Sequence, residues 1–117
     1  MNFIVRKEEN YSCIKVLSDH LASIVSPDLK AELVMLSNKE ERNIILDLED
    51  CRDCDSSGLS AILVGNRLCE DSKGTFIICN LSQNVYKMIT LAMLDSILII
   101  ASDIQEAEKI LNNKSLN

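Results

Sequence analysis

Asn43-Ile44-Ile45-Leu46-Asp47-Leu48, followed by Asp53-Cys54-Asp55-Ser56-Ser57-Gly58-Leu59-Ser60-Ala61-Ile62-Leu63, is the stretch on which the fold turns. The first run is apolar at consecutive positions, the pattern of a strand buried on both faces. The second opens with residues that favour helix starts and passes into an apolar stripe, which predicts a helix from about Ser57 to Glu70. A doubly buried strand leading into a helix is half of a parallel crossover unit.

The same unit recurs downstream. Asp71-Ser72-Lys73-Gly74 reads as a turn into a strand at Thr75–Cys79, and Ser82 caps a helix that buries Val85, Met88, Ile89 and Ala92 at spacings of i, i+3, i+4 and i+7. Ile97 to Ile100 predicts a further strand. Asp103 with Glu106 forms a start resembling a capping box, and the closing helix turns Ile104, Ala107, Ile110 and Leu111 towards the sheet. Upstream, Phe3-Ile4-Val5 and Cys13-Ile14-Lys15-Val16-Leu17 read as strands of a hairpin around Glu8-Glu9-Asn10. Ser26-Pro27-Asp28 predicts a helix start with Ser26 as its cap and Pro27 in the first position, ahead of a stripe at Leu29, Leu33 and Leu36. The fold class is therefore α/β: one domain over residues 1–117, with a mixed, mostly parallel sheet, an N-terminal antiparallel hairpin and about four flanking helices. Residues 112–117 read as a frayed tail.

Charge and composition narrow the function. The 117 residues are 47% apolar and hold 12 Lys+Arg against 18 Asp+Glu, a net charge of −6. No basic cluster exists to neutralise phosphates, so neither nucleic acid nor an anionic membrane surface is an expected partner. Two Phe, two Tyr and no Trp leave no platform for stacking bases. Ala61–Val64 and Ile97–Ala101 fall far below the ~20 apolar residues that span a bilayer. Residues Met1–Glu9 show no secretory pattern, and the expected location is the cytoplasm.

Catalytic signatures are missing. Phosphate-binding loops and the hydrolase nucleophile elbow need glycines in sets, and the three present, Gly58, Gly65 and Gly74, are scattered. Cys51-Arg52-Asp53-Cys54 has CxxC spacing, yet a closed zinc site needs two more ligands and the chain offers one histidine, His20. His20 as a general base, or Cys54 as a redox thiol, stands against the plainer readings of a solvated histidine and buried, apolar cysteines. Met88 and Met93 read as core filler or as an adaptable contact patch. No catalytic residue, metal or cofactor is expected. What remains is a hydroxyl: Asp55 or Ser56 caps the helix, Ser57 sits in its first turn, and Gly58 removes bulk beside it. A phosphate on Ser57 meets unpaired backbone N–H groups and the positive end of the helix dipole. Plain capping by these serines is the alternative.

The run Asn43–Leu48 with Asp55-Ser56-Ser57-Gly58-Leu59 resembles the signature of the bacterial anti-sigma factor antagonists, the STAS domain family. Gly74–Ser82, Leu94-Asp95-Ser96-Ile97-Leu98 and the closing helix with Ala107 are in register with it over almost the whole chain. The resemblance implies partner switching: the unmodified protein binds an anti-sigma factor that is a serine kinase with a histidine-kinase-like ATPase fold, phosphorylation releases it, and a serine phosphatase resets it. By position the acceptor is Ser57, with Ser56 as second choice. Asp55, Ser56 and Gly58 then shape the switch loop, while Ser60 and Arg67 line the partner surface. Family members carry a glycine and then a Leu-Asp pair near this loop, where this chain has Ser18 and Leu21-Ala22. A monomer or weak dimer is expected. Two other readings stand beside this one: a constitutive STAS scaffold in a multiprotein or transport-related assembly, and a small ligand-binding protein or hydrolase.

Overall fold

Strand order explains the architecture. In the computed structural model, which describes residues 2–115, seven strands and four helices follow one another as β1 (Phe3–Lys7), β2 (Ser12–Val16), β3 (His20–Leu21), α1 (Ser26–Asn38), β4 (Ile44–Asp47), β5 (Asp53–Cys54), α2 (Ser56–Asp71), β6 (Phe76–Cys79), α3 (Gln83–Leu91), β7 (Ile99–Ala101) and α4 (Ile104–Ser115). The main sheet runs β1-β2-β4-β6-β7. β1 and β2 pair antiparallel, and every later pairing in that sheet is parallel. Because each crossover advances in the same direction, the right-handed rule sends α1, α2 and α3 to one face and leaves the other to α4.

The strand residues divide accordingly. Ile14, Ile44, Leu46, Phe76 and Ile78 pack with Leu29, Leu33, Ile62, Val85 and Ile89 of the first three helices. Cys13, Ile45, Ile77 and Cys79 pack with Ala107 and Leu111 of α4. Continuous apolar runs are thus the signature of two cores that share one sheet. α4 is tied to the hairpin by the Tyr11 hydroxyl, which donates to Glu108 Oε2 at 2.7 Å. Burial together with that carboxylate pushes the Tyr11 hydroxyl up to about 12.

Four sequence expectations need correction. Ser26 does not cap α1: Val25 holds the cap position with helical dihedrals, and the Ser26 hydroxyl instead donates to Ala22 O at 2.8 Å. Ala92 is exposed rather than buried, because α3 ends there and the chain turns away through Met93 in the left-handed region at φ 61. Ile97 lies outside the last strand and is 55% exposed, since a 3-10 turn at Leu94–Ser96 delays the strand and gives the core position to Leu98. Residues 112–115 continue α4, carried one turn further by the anchor of Leu111 in the core and by Lys114 at the negative end of the helix. Residues 116 and 117, the rest of the expected tail, lie outside the described residues. Met88 packs against the core, whereas Met93 is 76% exposed.

Gly74 closes the turn between α2 and β6 where no side chain fits. A Cβ there would sit 1.8 Å from Arg42 O, a backbone atom that cannot swing aside. Gly74→Ala is expected to lower stability by about 1–3 kcal/mol, as overpacking does, read as a reduced urea midpoint with an unchanged slope.

Candidate functional site

The turn between β5 and α2 lies at the C-terminal ends of the parallel strands, where open α/β sheets place their sites. A two-stranded sheet, two residues to each strand, holds it there. β3 pairs in parallel with β5 through His20 opposite Asp53 and Leu21 opposite Cys54. Asp55 N then donates to Leu21 O at 3.2 Å, and Arg52 N to Asp19 O at 2.6 Å. Neither short strand has a length that side-chain alternation reveals.

Asp55 caps α2. Its backbone is extended, and its Oδ1 accepts from Gly58 N at 3.0 Å and from the Ser57 hydroxyl at 2.6 Å. These bonds hold the Asp55 carboxyl below its ordinary value, the Ser57 hydroxyl contributing most and the Gly58 amide next. Ser56 is the first helical residue and exposed; Ser57 is the second and half-buried. Ser57 Oγ also lies 3.1 Å from Ser26 Oγ at the start of α1. Gly58 is buried, and its Cβ position is 2.2 Å from Leu21 O, so glycine is what lets α2 approach β3.

Ser60 and Arg67 are both exposed on α2. At 100° per residue they share a stripe with Ser56, and Arg67 lies about 15 Å along the axis from Ser57. The six expected residues therefore fall into a loop group, Asp55 to Gly58, and a helix face continuing from it. Beside the loop an open groove of about 520 Å³ runs between β5 and α3, lined by His20, Ala22, Asp55, Lys87, Met88 and Leu91 among others. Sequence reasoning missed this groove, and also the contact to Ser26, whose serine is separated from Ser57 by 31 positions.

His20 and Cys54 both line this groove, and among the described hydrogen bonds none joins His20 to Ser57. His20 Nδ1 is 2.5 Å from Asp53 Oδ1, and its backbone meets Ser18; the described hydrogen bonds of Ser57 go to Asp55 and Ser26 instead. Burial pushes the Cys51 thiol up to about 12 and the Cys54 thiol to about 11, so both stay protonated and weakly nucleophilic at neutral pH. Among the described residues no cluster of His, Cys, Asp and Glu is arranged to hold a metal ion, and no helix is long and apolar enough to cross a membrane.

Comparison with known proteins places this geometry in context. The STAS domain family model matches residues 3–107. An anti-sigma-factor antagonist (STAS) domain protein from Planctomyces limnophilus superposes with a TM-score of 0.85 at 17% identity, covering 94% of this chain and 97% of the other. An anti-sigma factor antagonist from Mycobacterium paratuberculosis gives 0.84 at 16% identity, over 94% and 92%. The phosphorylated form of the Bacillus cell fate determinant SpoIIAA gives 0.72 at 19% identity, over 92% and 98%. No curated protein matches significantly.

The Asp55 cap sets a pH dependence. A carboxyl held low in the folded protein stabilises it above the ordinary carboxyl range and loses that contribution as pH falls through the folded value. Asp55→Ala is expected to melt below the parent protein at pH 7, with the gap closing as both are acidified past the carboxylate range, measured by circular dichroism melts across pH.

Proposed function

The chain belongs to the STAS domain family, and from that premise we propose that it is an anti-sigma factor antagonist that acts by partner switching through Ser57. The observation that carries this reading is the position of the Ser57 hydroxyl: half-buried, in the first turn of a capped helix, with its hydrogen directed to a carboxylate. Structural neighbours bear the antagonist role in their own names, and one is known in a phosphorylated form. The protein binds its partner and catalyses nothing itself.

In this reading a cognate serine kinase transfers the γ-phosphoryl group of ATP to Ser57 Oγ with release of ADP, and the hydroxyl proton passes to solvent by way of the Asp55 carboxylate, which accepts its hydrogen bond at 2.6 Å. Asp55 positions the nucleophile. The added group carries roughly −1.5 to −2 charges at neutral pH. At the start of α2 the dipole offsets part of the cost within the protein, by about 0.3–1 kcal/mol. Against a docked partner the phosphate is desolvated beside Asp53 and Asp55, where an unpaired buried charge costs several kcal/mol. Docking uses Ser60 and Arg67 on the exposed stripe of α2 and the loop Asp55–Gly58, and a serine phosphatase restores the binding form. The whole chain, residues 1–117, acts as one such domain in the cytoplasm, as a monomer or weak dimer.

A constitutive scaffold is the second reading, favoured by the fact that Ser57 already serves local structure through Asp55 and Ser26. One experiment separates them. Incubation with ATP and a purified serine kinase of the partner-switching type is expected to add a single phosphate that peptide mapping places on Ser57, and Ser57→Ala is expected to abolish labelling while still binding the kinase. Labelling at no site, with Ser57→Ala changing only thermal stability, supports the scaffold.

A further inference from the structure

Ser26 is 1% exposed, and its hydroxyl reaches both the Ala22 carbonyl at 2.8 Å and Ser57 Oγ at 3.1 Å. Ser57 in turn donates to Asp55 Oδ1 at 2.6 Å. These three contacts draw on the two hydroxyl hydrogens of Ser26 and Ser57, so they cannot all be hydrogen bonds at once. With Ser57 bonded to Asp55, the Ser26 hydrogen chooses between Ala22 O and Ser57 Oγ. Turning away from Ala22 O leaves no orphan, because that carbonyl also accepts from Val25 N at 2.9 Å and Ser26 N at 2.8 Å. The Ser26 hydroxyl is therefore a buried rotor with two acceptors of similar reach.

We propose that Ser26 is a positioning residue for Ser57: its hydroxyl packs against the unmodified Ser57 oxygen and, once that oxygen carries a phosphoryl group, rotates to donate a hydrogen bond to the phosphoester. The inference rests on Ser57 being the modified residue. Phosphorylation replaces the Ser57 hydrogen, so the link to Asp55 loses its donor and becomes a repulsion between two anionic groups. Every oxygen of the phosphoester accepts and none of those on the dianion donates. Ser26 supplies a hydrogen to them without moving the backbone, and the bond is charge-assisted. A modification at the start of α2 is thereby registered at the start of α1, through the contact between the two serines.

The test installs phosphoserine at position 57 by genetic encoding, which needs no kinase, and follows its second ionisation by phosphorus NMR across pH. Asp55, the charged group bonded to Ser57, is kept throughout. A donor that favours the dianion holds this ionisation low, so Ser26→Ala is expected to raise it by about half a unit. Ser26→Cys, nearly isosteric and a weak donor, is expected to move it the same way and carries the test alone if the alanine variant fails to fold. Titration curves that superimpose on those of the parent phosphoprotein in the folded variants overturn the proposal. Because the phosphoserine is encoded genetically, failure of a kinase to label Ser57 sinks the switching reading and leaves this result independent of it.

Discussion

A single carboxylate, Asp55, organises the region that matters. One of its oxygens accepts from the Gly58 amide and the Ser57 hydroxyl together, and its own amide is bonded to Leu21 O. The first pairing starts α2, the second fixes the hydroxyl, and the third fastens the turn to β3. Gly58 makes this geometry possible, because any side chain there would strike the same Leu21 carbonyl. Cap, hydroxyl and close backbone approach are one device.

The device suits regulation by charge better than by shape. A neutral hydroxyl at 2.6 Å from Asp55 is an attraction; a phosphate in its place is a repulsion at short range. At an effective dielectric near 20, two unit charges at 4 Å interact by about 4 kcal/mol, falling to about 1 kcal/mol in bulk water. In the proposed switch, solvent screens the phosphate in the free protein and a docked partner removes that screening. Two cores lie on either side of the sheet, with Ile45 and Ile77 fully buried on one face and Leu46 and Ile78 on the other. The buried, protonated cysteines belong to that packing.

Much of this was legible in the sequence where a local pattern had a local cause. Asn43–Leu48 read as a buried strand because both of its faces are covered, and Ser82 read as a cap because its hydroxyl accepts from Val85 N. Asp55 to Gly58 read as a helix start for the same reason. What escaped depends on distant partners. Ser26 beside Pro27 has the composition of a cap, yet the chain is already helical at Val25, so the hydroxyl turns back to Ala22 O and across to Ser57. β3 and β5 are each two residues long and exist only through one another. Ala92 and Ile97 kept the right spacing for burial but straddle the left-handed residue Met93, which redirects the chain between them.

In the proposed switch, one phosphoryl group added at Ser57 separates the protein from its partner without refolding it. Isothermal titration of the purified partner kinase against the unmodified protein and against protein carrying phosphoserine at position 57 measures this directly. Phosphoserine at position 57 is expected to lower the affinity more than a hundredfold, by about 3 kcal/mol, with unchanged circular dichroism. Equal affinity for the two forms contradicts it.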